Sequence, residues 1–582
     1  MIHLGICYGH CATIAVVEDG ALSFCQSEER LNRLKGSSGF PERTLEAVLA
    51  RVGGPDKVTS CTLFQETVTG YLFLKHHGFA PHQVAMRFPR AMLESLRRPV
   101  EVLRAEARER AIAAARSESD PALREEAKRY YLDRLGLPES KLRMTNHHDS
   151  HVFSVLPFLP SVRERTLIFT LDGQGDGRCA SVGIWSPAGL ETLDVTPDLL
   201  SLGEIYSFVT SALGFKSLEH EYKVMGMAPY AKPDYYGDML AALRKLLWID
   251  TDGRWSGGYL CRQECWAALA EACSFERFDA IAGALQQFTE DLMLQWIEHW
   301  VRKTGIRRIG CAGGVFMNVK ANQRIAASPL VEHLVVVPSC GDESTAIGAA
   351  VFGSLTVEPT TPIRPATHLY LGAANPRAEV EAVAASAGAS GRFAVSRPAD
   401  INRRAAELLA AGEVVARCSG AMEFGARALG NRSILAHPSR PELVGLINRA
   451  IKNRDFWMPF APSVLEERMA DYVEPLPAAP AAYMMVSFDT TPRGRRELAA
   501  ALHAADGTCR PQCVMRAWNP DYHALISAFA AATGVGAVLN TSFNLHGEPI
   551  VMSPADALHT VERSGLRYLV LEDLLLEKRS EA

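Results

Sequence analysis

The chain has 582 residues, of which 48% are hydrophobic and 22% are charged. This composition is typical of a folded globular protein and excludes a disordered, collagen-like or disulfide-scaffold chain. At about 150 residues per domain, the length predicts two to four domains. The net charge of −5 gives no support for nucleic-acid binding, which would need a concentrated basic surface. A single basic pocket is compatible with this net charge.

The cysteines and the apolar segments indicate the compartment. The 13 cysteines are scattered without a Cys-x-x-Cys pair, and we interpret them as free thiols in a reducing environment. The N-terminal segment carries His and acidic residues where a signal peptide needs an apolar core. The longest uncharged run, residues 524–545, contains Gly and Asn residues that break a membrane span. We therefore expect a cytoplasmic protein without membrane contact.

The N-terminus predicts three consecutive strands. Apolar runs at residues 2–6, 12–17 and 21–26 are separated by a turn at Gly9-His10 and another at residues 18–20. Actin-like ATPase domains begin with such a strand–turn–strand unit, whose first turn lets backbone amides face a phosphate or an ion. Alone, the pattern is a weak indication of that fold.

Later segments predict the domain organisation. Residues 90–135 are rich in Arg, Glu and Ala with apolar residues at helical spacing, which predicts a charged helical insertion, either a solvated cap or a partner-binding arm. The Pro-rich segment 358–369 predicts a linker. We expect an N-terminal α/β domain at 1–357 and a C-terminal α/β domain at 370–582.

A possible metal site is indicated by two histidines and two carboxylates. His147 and His151 lie four residues apart, so a helix would place both imidazoles on one face, where they can bind one ion. Asp172 and Asp342 each follow an apolar strand-like run. A helix cap or surface patch would explain the histidines alone, but the added carboxylates favour a two-His, two-carboxylate site. Mixed nitrogen and oxygen ligands suit iron, zinc and manganese alike.

Two further N-terminal motifs have a structural and a functional interpretation. The strand-to-helix turn at Gly313-Gly314, with Asn318 after it, is a simple tight turn or a contact to adenosine. Lys223 stands in an apolar, turn-rich stretch. Its side chain either extends along apolar surface to solvent or contacts a phosphate or substrate.

The C-terminal domain holds cations in an unusual setting. They stand among Gly, Pro and aromatic residues rather than between acidic partners on helices, and converging cations are what binding a phosphate or triphosphate requires. RNA phosphate is the alternative, because neighbouring aromatics would also serve base stacking. The cations are Arg427, Arg432, Lys452, Arg454 and Arg510.

In their order along the chain, these motifs resemble those of the O-carbamoyltransferases of antibiotic and Nod-factor biosynthesis, the nodulation-protein-U / cephalosporin carbamoyltransferase family. The resemblance covers nearly the whole chain apart from the helical insertion. The motifs are GH at the first turn, HHDSH, LDGQGD, EYKVMGMAPY, GGVFMN, GDESTAIGAA, EFGARALGNRSILA, IKNRDFWMPFAPSVL, RPQ and LNTSFNLHGEPIV.

The resemblance implies two α/β domains that perform two reactions. The C-terminal domain is similar to the YrdC-like fold and would form carbamoyl-adenylate from carbamoyl phosphate and ATP, with Mg²⁺, releasing phosphate and pyrophosphate. The N-terminal domain is similar to the actin-like (ASKHA), metal-dependent domain of threonylcarbamoyl transfer. It would pass the carbamoyl group to a hydroxyl of a small-molecule acceptor, such as an antibiotic or toxin, and release AMP.

The resemblance also implies roles for individual residues. The catalytic residues would be His10, as the base for the acceptor hydroxyl, and Lys223. The metal, iron(II) or another divalent transition metal, would be bound by His147, His151, Asp172 and Asp342. Carbamoyl-adenylate would lie against Gly173, Gly203, Gly313, Gly314 and Asn318. Carbamoyl phosphate and ATP would bind Arg427, Arg432, Lys452, Arg454, Arg510, Asn540 and Ser542. The family often has Asp after the histidine of the first turn, where this chain has Cys11, and a Pro where it has Ala426.

Two other functions stay open from the sequence. A tRNA threonylcarbamoyladenosine-type modification enzyme would use similar domains, but the overall acidity and the absence of a basic extension argue against an RNA partner. A non-catalytic actin-like nucleotide-binding regulator would leave the C-terminal cations without a purpose. The acceptor and the oligomeric state, with a homodimer as one option, are not indicated by any motif.

Overall fold

The computed structural model describes residues 1–68, 71–72, 75, 100–479 and 481–579. The start of the predicted insertion, residues 90–99, lies outside them. The chain divides into two compact units, unit 1 with Met1–Glu28 and Gly36–Ala366, and unit 2 with Glu29–Lys35 and Thr367–Ala582. The later boundary falls inside the segment for which we predict a linker. The short segment in unit 2 differs from our predicted division, which keeps it in the N-terminal domain.

Both units contain strands and helices. The strands are β1 (Ile2–Cys7), β2 (Thr13–Glu18), β3 (Ala21–Ser27), β4 (Val58–Leu63), β5 (Leu142–Met144), β6 (Thr166–Gly175), β7 (Arg178–Ser186), β8 (Gly189–Pro197), β9 (Leu247–Ile249), β10 (Trp255–Gly257), β11 (Arg308–Ala312), β12 (His333–Val336), β13 (Phe393–Ser396), β14 (Val415–Cys418), β15 (Arg432–Ala436), β16 (Ala461–Leu465), β17 (Gln512–Val514), β18 (Ala537–Ser542), β19 (Tyr568–Leu571) and β20 (Leu574–Lys578). The helices are α1 (Glu29–Asn32), α2 (Glu42–Val52), α3 (Val100–Glu118), α4 (Pro121–Leu135), α5 (His147–Val155), α6 (Leu202–Ala212), α7 (Glu221–Met227), α8 (Gly237–Leu246), α9 (Arg262–Cys273), α10 (Phe278–Thr304), α11 (Val319–Ala327), α12 (Thr345–Val357), α13 (Arg377–Ala389), α14 (Ile401–Ala411), α15 (Glu442–Ile447), α16 (Met469–Tyr472), α17 (Pro492–Glu497), α18 (Pro520–Thr533) and α19 (Pro554–Glu562).

Several predicted elements are confirmed. The three N-terminal strands are present as β1, β2 and β3, and the described part of the charged insertion forms α3 and α4. All 13 cysteines are free thiols. Within the described residues, no helix combines the length and the apolar character that crossing a membrane requires.

Two five-stranded sheets of unit 1 share one topology. In the first, β1, β2 and β3 pair antiparallel, and β4 and β5 add in parallel beside β1. In the second, β6, β7 and β8 pair antiparallel, and β11 and β12 add in parallel beside β6. Parallel neighbours end at the same sheet edge, so the loops after β6, β11 and β12 lie together. The two sheets therefore have the same strand order and the same pattern of antiparallel and parallel pairs.

Helix α12 packs against both β1 and α5 because its contact residues are small. A Cβ added to Gly5 would lie 1.9 Å from the Ala346 carbonyl oxygen, and one added to Gly348 would lie 1.6 Å from the Ser150 carbonyl oxygen. Real Cβ atoms do not approach backbone so closely, so both positions require glycine. These contacts hold α5 against the sheets.

Unit 2 contains an eight-stranded mixed sheet with the order β13-β20-β19-β14-β15-β18-β16-β17. Its core includes Ile434 and Leu539 from neighbouring central strands and Leu569 from β19, all without solvent exposure. Helix α19 adds Val561 to the same core. The central strands β15 and β18 carry several of the residues for which we predict phosphate binding.

We predict that Gly348→Ala destabilises unit 1. The added methyl group would force α12 away from α5, and overpacking of this kind costs about 1–3 kcal/mol or more. The measurement is the midpoint of thermal unfolding by circular dichroism. Gly237→Ala is the matched control, because its Cβ would meet no atom within 4 Å and alanine is favoured in helices. A Gly348→Ala variant with the same unfolding midpoint as the wild type would contradict the packing described for α12.

Candidate functional sites

Helix α5 places the two predicted histidines on one buried face. Asn146 begins the helix, and its side chain accepts a hydrogen bond from the His148 backbone N–H, as N-cap residues do. His147 and His151 then stand one turn apart with ring centroids separated by 4.8 Å. The side chain of His151 is fully buried.

The two predicted carboxylates lie opposite these rings. The Nε2 atom of His147 is 3.4 Å from Oδ2 of Asp172 and 3.7 Å from Oδ1 of Asp342. The Nε2 atom of His151 is 3.9 and 4.0 Å from the same two oxygens. One donor atom from each residue therefore falls within a group no wider than 4.8 Å. The structure brings all four predicted ligands together.

The backbone around Asp172 leaves one of its oxygens directed at the histidines. Its Oδ1 accepts a hydrogen bond of 2.7 Å from the Gly314 N–H, while Oδ2 faces the two rings. Burial, and then the neighbouring Asp172 carboxylate, raise the pKa of Asp342 to about 7. The buried carboxylate of Asp172 beside the partly exposed carboxylate of Asp342 favours a bound cation, because their like charges repel without one.

Glycines allow this close approach. A Cβ on Gly175 would lie 2.2 Å from the His147 ring, and one on Gly314 would lie 2.7 Å from Asp172 Oδ1. A Cβ on Gly203 would lie 2.9 Å from the Asp172 carbonyl oxygen. Gly203 and Gly314, two of the predicted carbamoyl-adenylate contacts, therefore border the histidine–carboxylate group directly.

The donor set fits a divalent transition metal. Both ring nitrogens of His151 are buried and have no hydrogen-bond partner within the described part of the chain. Buried polar atoms are normally satisfied, so a ligand to Nε2 would remove this cost. Two imidazoles and two carboxylates are the ligand types that iron, zinc and manganese accept.

Asp176 is a site residue that our sequence analysis leaves unassigned. Its carboxylate accepts hydrogen bonds from the backbone N–H groups of His147 (2.8 Å), Glu66 (3.1 Å) and Thr67 (3.2 Å). It thereby ties the start of α5 to the loop after β4. The LDGQGD motif contains this residue, but no spacing in the sequence indicates that its partners are backbone groups.

The turn with His10 lies near the metal-ligand group. A Cβ on Gly9 would meet the Phe64 ring at 3.0 Å, and that ring packs against His147 at a centroid distance of 5.4 Å. Burial, and then the Asp342 carboxylate, raise the pKa of the Cys7 thiol. The first turn is therefore within electrostatic range of a predicted ligand.

The side chain of His10 is oriented by its neighbour. Cys11 Sγ lies 3.1 Å from Nδ1 of His10. The other ring nitrogen, Nε2, would lie 4.0 Å from a Cβ on Gly36. Nδ1 therefore contacts the thiol of the neighbouring residue, and Nε2 lies on the side of the ring near Gly36.

The remaining predicted residues of unit 1 have different surroundings. Lys223 lies on α7 with its ammonium 5.5 Å from the Phe215 ring centroid. Gly313 adopts a positive φ of 103°, and its added Cβ would lie 2.4 Å from the Leu171 carbonyl oxygen. Gly173 borders open space. Asn318 exchanges two hydrogen bonds with Gln286 and caps α11, so the structure uses its amide for packing.

Lys452 is the centre of a cation group in unit 2. It ends a π-helical turn, Asn448–Lys452, a rare geometry that often occurs at functional sites. Its ammonium donates to the Ser542 hydroxyl at 3.1 Å and to Asn544 Oδ1 at 2.7 Å, which are neutral acceptors. Burial, followed by the charges of Arg454 and Lys35, lowers the pKa of Lys452.

Arg510 belongs to the same group of cations. Burial, followed by the charges of Arg427 and Arg454, lowers its pKa. Its Nε atom is buried without a hydrogen-bond partner among the described residues. Four of the five predicted C-terminal cations thus interact electrostatically with one another, and Lys35 joins them. Lys35 is absent from our sequence predictions because it is distant in the chain.

Arg432 has a different environment. It has no solvent exposure, and its guanidinium donates to the carbonyl oxygens of Met552 (2.8 Å), Gly420 (3.1 Å) and Ser419 (3.2 Å) and to Asn375 Oδ1 (2.9 Å). These hydrogen bonds indicate that Arg432 links the loops that carry its acceptors. Phosphate binding by Arg432 stays a prediction.

The other two predicted polar residues lie on β18. Asn540 donates through Nδ2 to the Ala428 carbonyl oxygen at 3.0 Å, while its Oδ1 is buried without a partner among the described residues. Ser542 links the Lys452 ammonium to Asn544. Both residues therefore border the segments that carry the cations.

Glu423 shapes the loop with Arg427 and was missed by our sequence analysis. The side chain is 1% exposed, and Oε1 accepts hydrogen bonds from the backbone N–H groups of Leu429 (2.8 Å), Arg432 (3.0 Å) and Asn431 (3.1 Å). A carboxylate that gathers three amides fixes the path of the chain. The EFGARALGNRSILA motif begins with this glutamate. In the sequence, an acidic residue near arginines suggests an ion pair rather than hydrogen bonds to three backbone N–H groups.

Known proteins similar to this chain share both of its parts. The family model described as Carbamoyltransferase N-terminus matches residues 2–351, and that described as Carbamoyltransferase C-terminus matches residues 406–578. The nodulation protein NolNO of Sinorhizobium fredii is 31% identical over 590 residues, which cover 98% of this chain and 79% of that protein. The nodulation protein NolO of Bradyrhizobium diazoefficiens is 34% identical over 444 residues, which cover 75% of this chain and 79% of that protein.

Solved structures show a more distant likeness. Component A of (R)-2-hydroxyglutaryl-CoA dehydratase from Acidaminococcus fermentans is 14% identical, with a TM-score of 0.32, and covers 60% of this chain and 97% of its own. The two family models cover most of the chain, and NolNO is 31% identical over 98% of it. The chain therefore belongs to the carbamoyltransferase family and is a carbamoyltransferase.

Proposed function

We propose that the chain is an ATP-dependent O-carbamoyltransferase that works in two steps. Unit 2 forms carbamoyl-adenylate from carbamoyl phosphate and ATP, releasing phosphate and pyrophosphate. Unit 1 transfers the carbamoyl group to a hydroxyl of a small-molecule acceptor and releases AMP. The duplicated sheets of unit 1 support an actin-like class for it, and a YrdC-like class for unit 2 is part of the same proposal.

The observation that carries the proposal is the cation group of unit 2, in which Lys452 is buried and the other members are half-buried. Burial, followed by the charges of Arg454 and Lys35, lowers the pKa of Lys452, and burial, followed by the charges of Arg427 and Arg454, lowers the pKa of Arg510. Buried charges are normally paired with opposite charge, so this group is suited to a polyanion. Carbamoyl phosphate and the ATP phosphates repel each other, and converging cations offset that repulsion while they hold the two substrates together.

The transfer step has suitable residues in unit 1. Gly203 and Gly314 pack closely against Asp172, so a carbamoyl-adenylate bound at these glycines would lie beside the histidine–carboxylate group. His147, His151, Asp172 and Asp342 would hold a divalent transition metal, with iron(II) as the ion that the resemblance implies. A metal bound there would supply a Lewis acid that polarises the carbamoyl oxygen.

His10 would take the proton of the acceptor hydroxyl. In the tautomer that carries the ring proton on Nδ1, directed at Sγ of Cys11, Nε2 is the acceptor nitrogen and takes the proton. The hydroxyl oxygen then bonds to the carbamoyl carbon as the bond to AMP breaks. His10 Nε2 holds the proton through this step.

The first test measures adenylation directly. We expect carbamoyl phosphate to stimulate pyrophosphate release from ATP, and threonine with bicarbonate to give none. Arg510→Ala should lower this rate tenfold to a hundredfold, since a charge-assisted contact to phosphate contributes about 1.5–3 kcal/mol. Arg563→Ala, an exposed arginine of the same unit, is the matched control. An unchanged rate in Arg510→Ala would remove Arg510 from the site, and release that requires threonine would favour tRNA modification.

The second test separates the two steps. Asp172→Ala or His151→Ala should lose bound metal and acceptor carbamoylation while keeping carbamoyl-phosphate-dependent pyrophosphate release, because one of four ligands is gone and the cations lie in the other unit. The measurements are metal content by mass spectrometry and both reaction rates. Asp149→Asn, a carboxylate of the same helix outside the group of four, should keep the metal. Loss of both steps in a folded variant would refute the division of labour.

The third test concerns His10. His10→Asn keeps a polar group of similar reach and removes the base, so transfer should fall about 10²–10⁴-fold while metal content and pyrophosphate release remain. The readout is carbamoylated acceptor by mass spectrometry at saturating carbamoyl-adenylate. Wild-type transfer in this variant would mean that His10 only supports the turn and that another group is the base.

A further inference from the structure

Asp176 lies in the turn of a hairpin that also carries a predicted metal ligand. Strands β6 and β7 are joined by the two-residue loop Asp176-Gly177, since Gly175 pairs with Arg178. Both loop residues have a positive φ, of 48° and 75°, as the loops of Asp-Gly hairpins do. Asp172 lies on β6, four residues before Asp176. The hairpin therefore fixes the Asp176 carboxylate relative to Asp172.

This hairpin contacts His147 at three points. Asp172 Oδ2 lies 3.4 Å from Nε2 of His147, and a Cβ on Gly175 would lie 2.2 Å from the imidazole ring. Asp176 Oδ2 accepts a hydrogen bond of 2.8 Å from the His147 backbone N–H. His147 is the first residue of α5, and the first N–H groups of a helix have no partner within the helix. The hairpin thus holds both the ring and the backbone of this predicted ligand.

The same carboxylate holds the loop after β4. Asp176 Oδ2 also accepts from the Glu66 N–H at 3.1 Å, and its Oδ1 accepts from the Thr67 N–H at 3.2 Å. A second carboxylate, that of Glu118 on helix α3, accepts from the Val68 N–H at 2.9 Å. The loop is therefore held at three consecutive N–H groups, two of them by Asp176.

Phe64 connects this loop with the histidine–carboxylate group and with the first turn. Its ring centroid lies 5.4 Å from that of His147 and 5.0 Å from that of Tyr8, and its side chain is buried. The ring would also lie 3.0 Å from a Cβ on Gly9, the residue before His10. A shift of the loop would therefore change the packing of Phe64 against both His147 and the first turn.

We infer that Asp176 is a positioning residue for the transfer site, whose one carboxylate fixes both the backbone of His147 and the loop that begins with Phe64. A carboxylate is suited to this role because its two oxygens accept several hydrogen bonds, and bonds to an ionised acceptor are stronger than neutral ones. Asp176 acts through His147 and Phe64 rather than on the substrate. This inference rests on the proposed function, in which His147 binds the metal.

The test uses three variants of the full-length protein. Asp176→Gly removes the carboxylate and keeps the hairpin, because Gly-Gly suits the same loop. Asp176→Asn is the conservative variant, since its amide offers one acceptor oxygen in place of two. Asp149→Asn is the control for charge. It removes one carboxylate from α5, where Asp149 lies 3.4 Å from Arg178, and leaves the hydrogen bonds of Asp176 in place.

The first readout is the affinity for Co²⁺, measured by titration of the metal-free protein and followed by visible absorption. Asp176→Gly should raise the Kd about 10-fold to 100-fold, as loss of a group that orients a metal ligand does. Asp176→Asn should give a smaller rise, and Asp149→Asn should stay close to the wild-type value. Wild-type affinity in Asp176→Gly, or an equal loss in Asp149→Asn, would overturn the inference.

The second readout is amide hydrogen exchange of the metal-free protein, followed by peptide mass spectrometry. Exchange in segments 64–68 and 146–150 should be about tenfold faster or more in Asp176→Gly, in line with the loss of hydrogen bonds to a charged group. Exchange in helix α10 should stay at the wild-type rate, which distinguishes a local role from general loss of stability. Faster exchange throughout unit 1 would overturn the inference. If Asp176→Gly does not fold, Asp176→Asn takes its place in both measurements.

The two readouts separate the inference from the proposed function. A wild-type protein that binds none of Co²⁺, Zn²⁺ and Fe²⁺ would refute the metal centre of the proposed function. Hydrogen exchange would then still decide the role of Asp176. Faster exchange confined to the two segments supports positioning by this carboxylate, and wild-type exchange excludes it.

Discussion

Repulsion between the buried Lys452 and the neighbouring half-buried cations is the constraint on which the candidate site of unit 2 depends. Lys452 and Arg510 each lose affinity for their proton through burial and through neighbouring cations, so the group is stable only if the backbone holds it. Glu423 gathers three amides of the loop that carries Arg427. Arg432 joins four further groups of the same unit. These hydrogen bonds hold the loops of the cation group in place against the repulsion between the cations. A bound anion would reduce that repulsion.

Unit 1 shows the opposite electrostatic arrangement. Two carboxylates lie beside two imidazoles at the ends of parallel strands, with glycines where the backbone must come close. Helix α12, with its small residues, holds the histidine helix against the sheet. One unit is therefore prepared for anions and the other for a cation, which agrees with a division between a step on phosphates and a step on a polarised carbonyl.

Local sequence pattern predicted the parts of the sites that follow from periodicity. The i, i+4 spacing of His147 and His151 requires only a helix, and Asp172 follows the apolar run of its strand, which continues to Gly175. Hydrogen bonds to backbone groups were not predictable, because nearly every residue type provides the same carbonyl oxygen and N–H group. For this reason the sequence analysis assigned no role to Asp176 and Glu423, although both lie inside the motifs it quotes.

Chain topology set the other limit. Segment Glu29–Lys35 is distant in sequence from unit 2, and nothing in its composition indicates that it leaves its neighbours. The two five-stranded sheets of unit 1 likewise share a strand order that our sequence analysis does not predict. Contacts of high sequence separation depend on the whole fold, whereas turns, caps and helix faces depend on a few adjacent residues.

The central claim is that carbamoyl-adenylate forms in unit 2 and is consumed in unit 1. The most direct measurement is mass spectrometry of quenched incubations of Asp172→Ala with ATP and ¹³C-labelled carbamoyl phosphate, in the presence of acceptor candidates. The account predicts that labelled carbamoyl-adenylate accumulates in this variant above its wild-type level, with no labelled acceptor. A folded variant that forms no labelled adenylate, or that still carbamoylates an acceptor at the wild-type rate, would contradict it.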